Sequence, residues 1–306
     1  LHLISGPLGS MVGLYEPIID DLTTDRRCDP PIPAKIIAST ATVRRYEDQI
    51  LGLFGRKDVA LFPPHGLEEG RSFFAEPARL PDGKPAPGRR YLGVMSSSLG
   101  STQTVQARVT AATLQAGSQI PDPADRDGYW TNLNFLNSLR ELGNTLSLLE
   151  SDVPDYLVGL QRRDGITPRY PRNKMELTSR RRSDEIPKAI EELELRLPHP
   201  ECVVEAKCVS SGSCPENAKC VDICLASNII EVGIDIDRLG LMTIVGQPKT
   251  TAQYIQVSGR VGRSARTPGL VITIYGAAKP RDRSHYERFW TCLLYTSDAA
   301  DDLLCV

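Results

Sequence analysis

The 306 residues contain no apolar run of about 18 or more, the length needed for a membrane-crossing helix, and no signal-peptide pattern opens the chain. Charge bias is also absent: 36 lysines and arginines stand against 38 aspartates and glutamates, a formal charge of −2. That excludes a global attraction to nucleic acid, so any such binding must come from a local groove. Two nucleotide fingerprints are missing. No G-x-G-x-x-G follows a strand, which argues against a Rossmann-type nucleotide enzyme. No G-x-x-x-x-G-K-[ST] loop is present to cradle phosphates, and the serine-rich Ser96-Ser97-Ser98-Leu99-Gly100-Ser101-Thr102 lacks the lysine and the second glycine at that spacing. Cysteines occur, but not in zinc spacing. Cys202, Cys208, Cys214 and Cys220 recur every six residues, with Cys224 four beyond, whereas zinc sites favour C-x₂₋₄-C pairs. We read them as reduced, unliganded thiols in a hairpin insertion, with a zinc or iron–sulfur site as the alternative; Cys224 reads as strand core.

What the chain does have is Gln256-Val257-Ser258-Gly259-Arg260-Val261-Gly262-Arg263, with two arginines three residues apart and a glutamine four before the first. The spacing predicts both arginines on one face of a helix, with glycines leaving room for a ligand. Arginine presents a planar, permanently charged fork of donors suited to phosphate oxygens. The other reading is a solvated basic helix end. Upstream runs Cys224-Leu225-Ala226-Ser227-Asn228-Ile229-Ile230-Glu231-Val232-Gly233-Ile234-Asp235-Ile236-Asp237, then Leu241-Met242-Thr243-Ile244-Val245. Residues 221–226, 241–245 and 269–275 read as buried parallel strands, and Thr250 or Thr251 as the cap of the helix that follows. Polar residues at strand ends point to the crevice where open α/β sheets bind ligands. Helices are predicted near residues 11–22, 46–53, 104–116, 129–149 and 184–195, the last capped by Ser183, and strands near 36–40, 72–75 and 91–95.

The order S-N-x-x-E-x-G-x-D, a strand, then Q-x-x-G-R-x-G-R resembles motifs V and VI of the superfamily 2 helicases, ATP-driven machines built from two RecA-like lobes. Ile36-Ile37-Ala38-Ser39-Thr40-Ala41-Thr42, an apolar stretch ending in T-A-T, resembles their motif III. Leu1 and His2 fit the end of a D-E-x-H box. Residues 2–16, 129–141, 176–179 and 185–187 resemble the helicase of DISARM-type anti-phage defence systems.

The resemblance implies an α/β fold with a RecA-like helicase core: the C-terminal part of a first lobe and a largely complete second lobe, each a parallel sheet flanked by helices. Residues 1–62 would belong to lobe 1, 63–90 to the linker, and 91–277 to lobe 2 with a Cys-rich insertion at 201–220. Residues 278–291 would start a C-terminal extension. Residues 292–306 resemble translated sequencing-adapter tails, so no function is assigned to Cys292 or Cys305. ATP would lie between lobes, with Arg260 and Arg263 on its phosphates, Gln256 steering geometry, and Gly233, Asp235, Gly259 and His2 beside the nucleotide. Thr40, Ala41 and Thr42 would couple the two sites. Ser227, Asn228 and Thr251 would contact the nucleic-acid backbone, expected to be DNA. No metal ligand is assigned, because the residues that hold Mg²⁺ in these helicases would precede Leu1; for the same reason, and for want of a phosphate loop, the 306 residues alone are expected not to hydrolyse ATP. The family is prokaryotic and cytoplasmic, and defence-system partner proteins are implied. A basic stretch of Arg162, Arg163, Arg169, Arg172, Lys174, Arg180, Arg181 and Arg182 around Tyr170 would line a single-strand channel or form a solvated loop. A non-hydrolytic scaffold derived from a helicase lobe is the alternative function, and the intact arginine pair argues against it.

Overall fold

Two units divide the chain, Leu1–Pro85 with Trp290–Val306 and Ala86–Phe289. The computed structural model describes residues 9–39, 46–62, 76, 78–98, 101–178, 180–182, 184–197, 220–227, 236–264 and 266–289.

In the first unit, helix α1 spans Gly9–Thr23 and helix α2 spans Tyr46–Phe54, close to the predicted bounds. Arg56 pairs with Asp20 of α1. Residues 36–39, predicted as part of a strand, form no strand and are exposed, Ile37 to 88%. No strand lies beside them among the described residues, and a strand without a ladder partner leaves its backbone to water. The T-A-T residues Thr40, Ala41 and Thr42, with His2 and the predicted strand at 72–75, fall outside the described residues.

The second unit is a six-stranded sheet in the order β1-β6-β5-β2-β4-β3, every pair parallel. Its strands are β1 (Arg90–Met95), β2 (Asn132–Leu136), β3 (Lys174–Leu177), β4 (Ile223–Ala226), β5 (Leu241–Val245) and β6 (Leu270–Tyr275). The helices are α3 (Thr102–Ser118), α4 (Pro123–Trp130), α5 (Leu139–Glu150), α6 (Asp152–Asp164), α7 (Ile186–Glu194), α8 (Thr251–Ser258) and α9 (Pro280–Glu287).

The predicted helix over 129–149 is three elements. α4 ends at Trp130, β2 follows with every residue buried, and α5 starts after Ser138. Residues 132–136 could satisfy a helical period, but flanking by β5 and β4 offers their backbone two ladders at once. Ser138 then caps α5 by accepting from the Glu141 amide at 3.2 Å, while Glu141 Oε2 accepts from the Asn137 amide at 3.1 Å. This is the reciprocal capping of an S-x-x-E box, shifted by one residue at its second bond. α7 starts after Glu185, and the expected cap Ser183 lies outside the described residues.

α3, α5 and α6 cover one sheet face through Ala107, Leu114, Leu142, Leu149 and Leu157, packed on Leu136, Leu225 and Val245. Each such side chain contributes on the order of 1.5–3 kcal/mol by leaving water. Strand alternation puts Thr273, the partner of Ile244, on the other face. There α8 lies, its buried Tyr254 hydroxyl 3.1 Å from Thr273 Oγ1. The sheet is thus covered on both sides.

Candidate functional site

β2 and β5 are neighbours, yet the chain leaves β2 toward α5 on one face and β5 toward α8 on the other. Diverging connections open a crevice at the C-terminal ends of these two strands. Asn137 spans it, its amide nitrogen donating to the carbonyls of Val245 at 2.9 Å and Gly246 at 3.2 Å. Gly246 has φ 76°, a left-handed turn that glycine adopts without strain. Asp282 of α9, fully buried, accepts from the amides of Gln247 at 3.1 Å and Gly276 at 2.8 Å, tying the exits of β5 and β6. Lys279 Nζ pairs with Glu141 Oε1 at 3.2 Å.

Thr250 is the cap of α8: its hydroxyl accepts from the Gln253 amide at 3.1 Å, and Gln253 Oε1 accepts from the Lys249 amide at 3.1 Å. Thr251 begins α8 at this edge of the sheet, 5% exposed. Ser227 follows β4 at the same edge, 8% exposed, its amide donating to Leu177 O at 3.4 Å. Asn228, Gly233 and Asp235 lie outside the described residues.

The arginine pair is placed differently from expectation. α8 ends at Ser258, with Gly259 as its C-cap donating to Ile255 O at 2.9 Å, so Arg260 and Arg263 sit on a turn beyond the helix. Two glycines in four residues lower helix propensity, and Gly262 takes φ 65°, which no continuing helix permits. The Gly262 amide donates to Leu239 O at 2.8 Å, just before β5. A Cβ on Gly262 would fall 2.4 Å from the Gly269 backbone, just before β6. The turn therefore rides on the N-terminal edge of the sheet, not in the C-terminal crevice. With five residues in β5 at ~3.3 Å each, the two edges are about 15 Å apart. Val261 anchors the turn in the core, Gln256 and Arg260 are half-buried, and Arg263 is exposed. Arg89, just before β1, grips the same turn: Nε donates to Val261 O at 2.7 Å and Nη2 to Gly259 O at 3.3 Å.

The same edge carries two buried ion pairs. Arg169 meets Asp222 at 2.9 Å, lies 3.4 Å from the Trp130 ring centroid and donates to Trp130 O at 2.8 Å. That removes Arg169 from the basic stretch: a guanidinium 8% exposed and spent on a carboxylate and carbonyls cannot line a channel. Arg238, just after the Ile236-Asp237 step, donates to Leu193 O at 2.6 Å and Thr131 Oγ1 at 2.8 Å and pairs with Asp127 at 3.3 Å. Burial lowers the affinity of both guanidiniums for the proton, and the facing carboxylates offset this only in part; burial also raises the Asp127 carboxyl despite Arg238. Of the other basic residues, Arg163 pairs with Asp164, Lys174 with Glu150 and Arg182 with Asp184, all at the surface, and Tyr170 is 38% exposed.

Cys224 is fully buried and its thiol is pushed up to about 12 by that burial. Cys220 is buried, with Sγ 3.3 Å from Arg196 O, while Cys202, Cys208 and Cys214 lie outside the described residues. Among the described residues no group of three or more His, Cys, Asp or Glu could hold a metal ion.

Sequence reading missed Asn137, Glu141, Lys279, Asp282, Arg238 and Arg89. Only Ser138-x-x-Glu141 carried a local signal, its capping pattern. Asn137, Lys279, Arg238 and Arg89 act across 45 or more positions, as when Arg238 reaches Leu193, and Asp282 reaches Gln247 across 35.

The model of the helicase conserved C-terminal domain matches residues 213–265, which take in β4, β5, α8 and the arginine turn. A DISARM protein DrmA from Bacillus paralicheniformis is 42% identical over 294 residues, covering 94% of this chain and 24% of that protein. The chain thus spans about a quarter of the length of this curated relative. Among solved structures, the DUF1998 helicase MrfA bound to DNA and AMPPNP is 15% identical with a TM-score of 0.45, covering 83% of this chain and 27% of that one. The Mycobacterium smegmatis helicase Lhr bound to ssDNA and AMP-PNP is 15% identical with a TM-score of 0.43, covering 85% and 27%. Residues 213–265 thus match the helicase conserved C-terminal domain within an all-parallel six-stranded sheet, and over most of its length the chain is similar to a DISARM protein.

Proposed function

We propose that this chain is the phosphate-sensing and strand-gripping part of an ATP-dependent superfamily 2 helicase or translocase that acts on DNA in prokaryotic, cytoplasmic anti-phage defence alongside partner proteins. Residues 91–277 are its second RecA-like lobe, 1–62 belong to the first and 63–90 join them. Arg260 and Arg263 stabilise charge on the nucleotide phosphates, and Gln256 orients them. Gly259 lets the phosphates approach, and Gly233 and Asp235 face the ribose and phosphates. His2 belongs to the box that holds Mg²⁺, and Thr40, Ala41 and Thr42 relay the nucleotide state. Ser227, Asn228 and Thr251 hold the phosphodiester backbone. ATP supplies the phosphoryl group whose transfer drives the motor.

The observation that carries this reading is the arginine turn itself. Its backbone is fixed by Leu239, Gly269 and Arg89, and it carries an exposed Arg263 inside the stretch that matches the helicase domain. A rigid turn that presents a guanidinium fork fits polyphosphate and offers little to a scaffold. Inorganic tripolyphosphate is the direct probe. Titrated into the 306-residue chain, it is expected to bind about tenfold or more weakly after Arg260→Ala or Arg263→Ala, as for a lost charge-assisted hydrogen bond. Affinity unchanged from that of the parent chain in both variants would overturn the assignment.

A further inference from the structure

Arg89 enters from far away in sequence and belongs to none of the sequence motifs, yet its guanidinium holds the turn that carries the two arginines. Its two donors take the carbonyls of Val261 at 2.7 Å and Gly259 at 3.3 Å, which flank Arg260. Its Cγ lies against both glycines of the turn's seat: added Cβ atoms would stand 3.3 Å from it at Gly262 and 2.9 Å at Gly269. Arg89 is next to β1, and its neighbour's amide, that of Arg90, donates to Gly269 O at 2.7 Å. The turn is therefore clamped from three sides: Leu239 through the Gly262 amide, Gly269 by backbone contact, and Arg89 through two carbonyls. Of these, Arg89 alone stands three residues from the point, Ala86, where the second unit begins.

We infer that Arg89 is a positioning residue for Arg260 and Arg263, and that it ties the aim of the pair to the segment entering the unit at Ala86. The inference rests on the phosphate role proposed for the pair. Carbonyls that converge on one guanidinium fix the peptide planes on either side of Arg260, and so the direction in which its side chain leaves. A pull on the entering segment moves Arg89 and, through it, those planes. Tension before β1 would then change how the pair meets phosphate, without any change in the pair itself.

Arg89→Met keeps the stem against the two glycines and removes both donors, whereas Arg89→Lys keeps one charged donor. In the 306-residue chain, amide hydrogen exchange at residues 260–263 is expected to rise about tenfold in Arg89→Met, as for a lost hydrogen bond, with amides of β5 and β6 unchanged. Tripolyphosphate affinity should fall toward that of Arg263→Ala, and Arg89→Lys should recover most of both. Unchanged exchange at 260–263 would overturn the inference. So would a uniform rise across the sheet, which would make Arg89 a general brace. If Arg89→Met loosens the turn while Arg263→Ala leaves tripolyphosphate affinity intact, the positioning stands and the phosphate role fails.

Discussion

Cys224 shows how burial alone can silence a reactive side chain. It lies in β4 with its thiol pushed up to about 12, and it faces no exposed surface. At pH 8 its thiolate fraction is on the order of one in 10⁴, and thiolate is the nucleophile. We expect iodoacetamide followed by peptide mapping to modify exposed Cys28 in the native chain and to reach Cys224 only after denaturation. Rapid native labelling of Cys224 would mean that β4 is not closed over it. The linkage has a definite sign. The unfolded thiol ionises near 9.0 while the folded one keeps its proton, so this group's contribution to stability declines as pH rises beyond that value. Residues were legible in sequence where their partners are near. Thr250 was found as a cap because it bonds within its own helical turn, and Cys224 as core because it sits in an apolar run. Arg169 looked like one cation in a basic stretch, and nothing local revealed that Asp222, 53 positions away, would claim it.

Elements were legible where one period ruled. The apolar runs that became β5 and β6 could be little else, and α3 and α2 fell where their patterns put them. The misreadings came from context. β2 is a strand because two neighbours offer ladders to it, and residues 36–39 form none because no described strand offers them a ladder. The helix carrying the arginine pair stopped early for a local reason that was open to inspection: Gly259 and Gly262. The starts of β2, β3 and β4 are held together at one residue, Asp222, through its carboxylate and its backbone carbonyl. Asp222 accepts from Arg172 and Asn173 at 2.9 Å each, pairs with Arg169, and its carbonyl accepts from the Asn132 amide at 2.9 Å. Removing one partner strands the other charge away from water, which typically costs about 3–5 kcal/mol. Asp222→Ala should lower the free energy of unfolding in urea by that amount. A loss under about 1 kcal/mol would show that water reaches Arg169 and screens it.

At the scale of the molecule, the motifs sort onto opposite edges of one sheet, which sequence order could not show. Ser227 and Thr251 stand with Asn137 at the C-terminal edge, and the arginine turn stands at the other. Single-strand binding can be tested against the surviving basic residues, since Arg180 and Arg182 are exposed while Arg181 donates to Glu176 O at 2.6 Å. If they track a strand, Arg180→Gln with Arg182→Gln should reduce the slope of log K against log salt by up to about 1.4, at ~0.7 per phosphate contact. An unaltered slope would leave them as solvated surface. The buried carboxylate of α9 bears on how the unit may be cut. Asp282 lies past residue 277, where a lobe read from motifs would stop, yet it supplies the acceptor for two amides of the sheet. A version trimmed at the last strand would expose those donors and loosen the loop that launches α8, so the minimal folding piece has to run through residue 287.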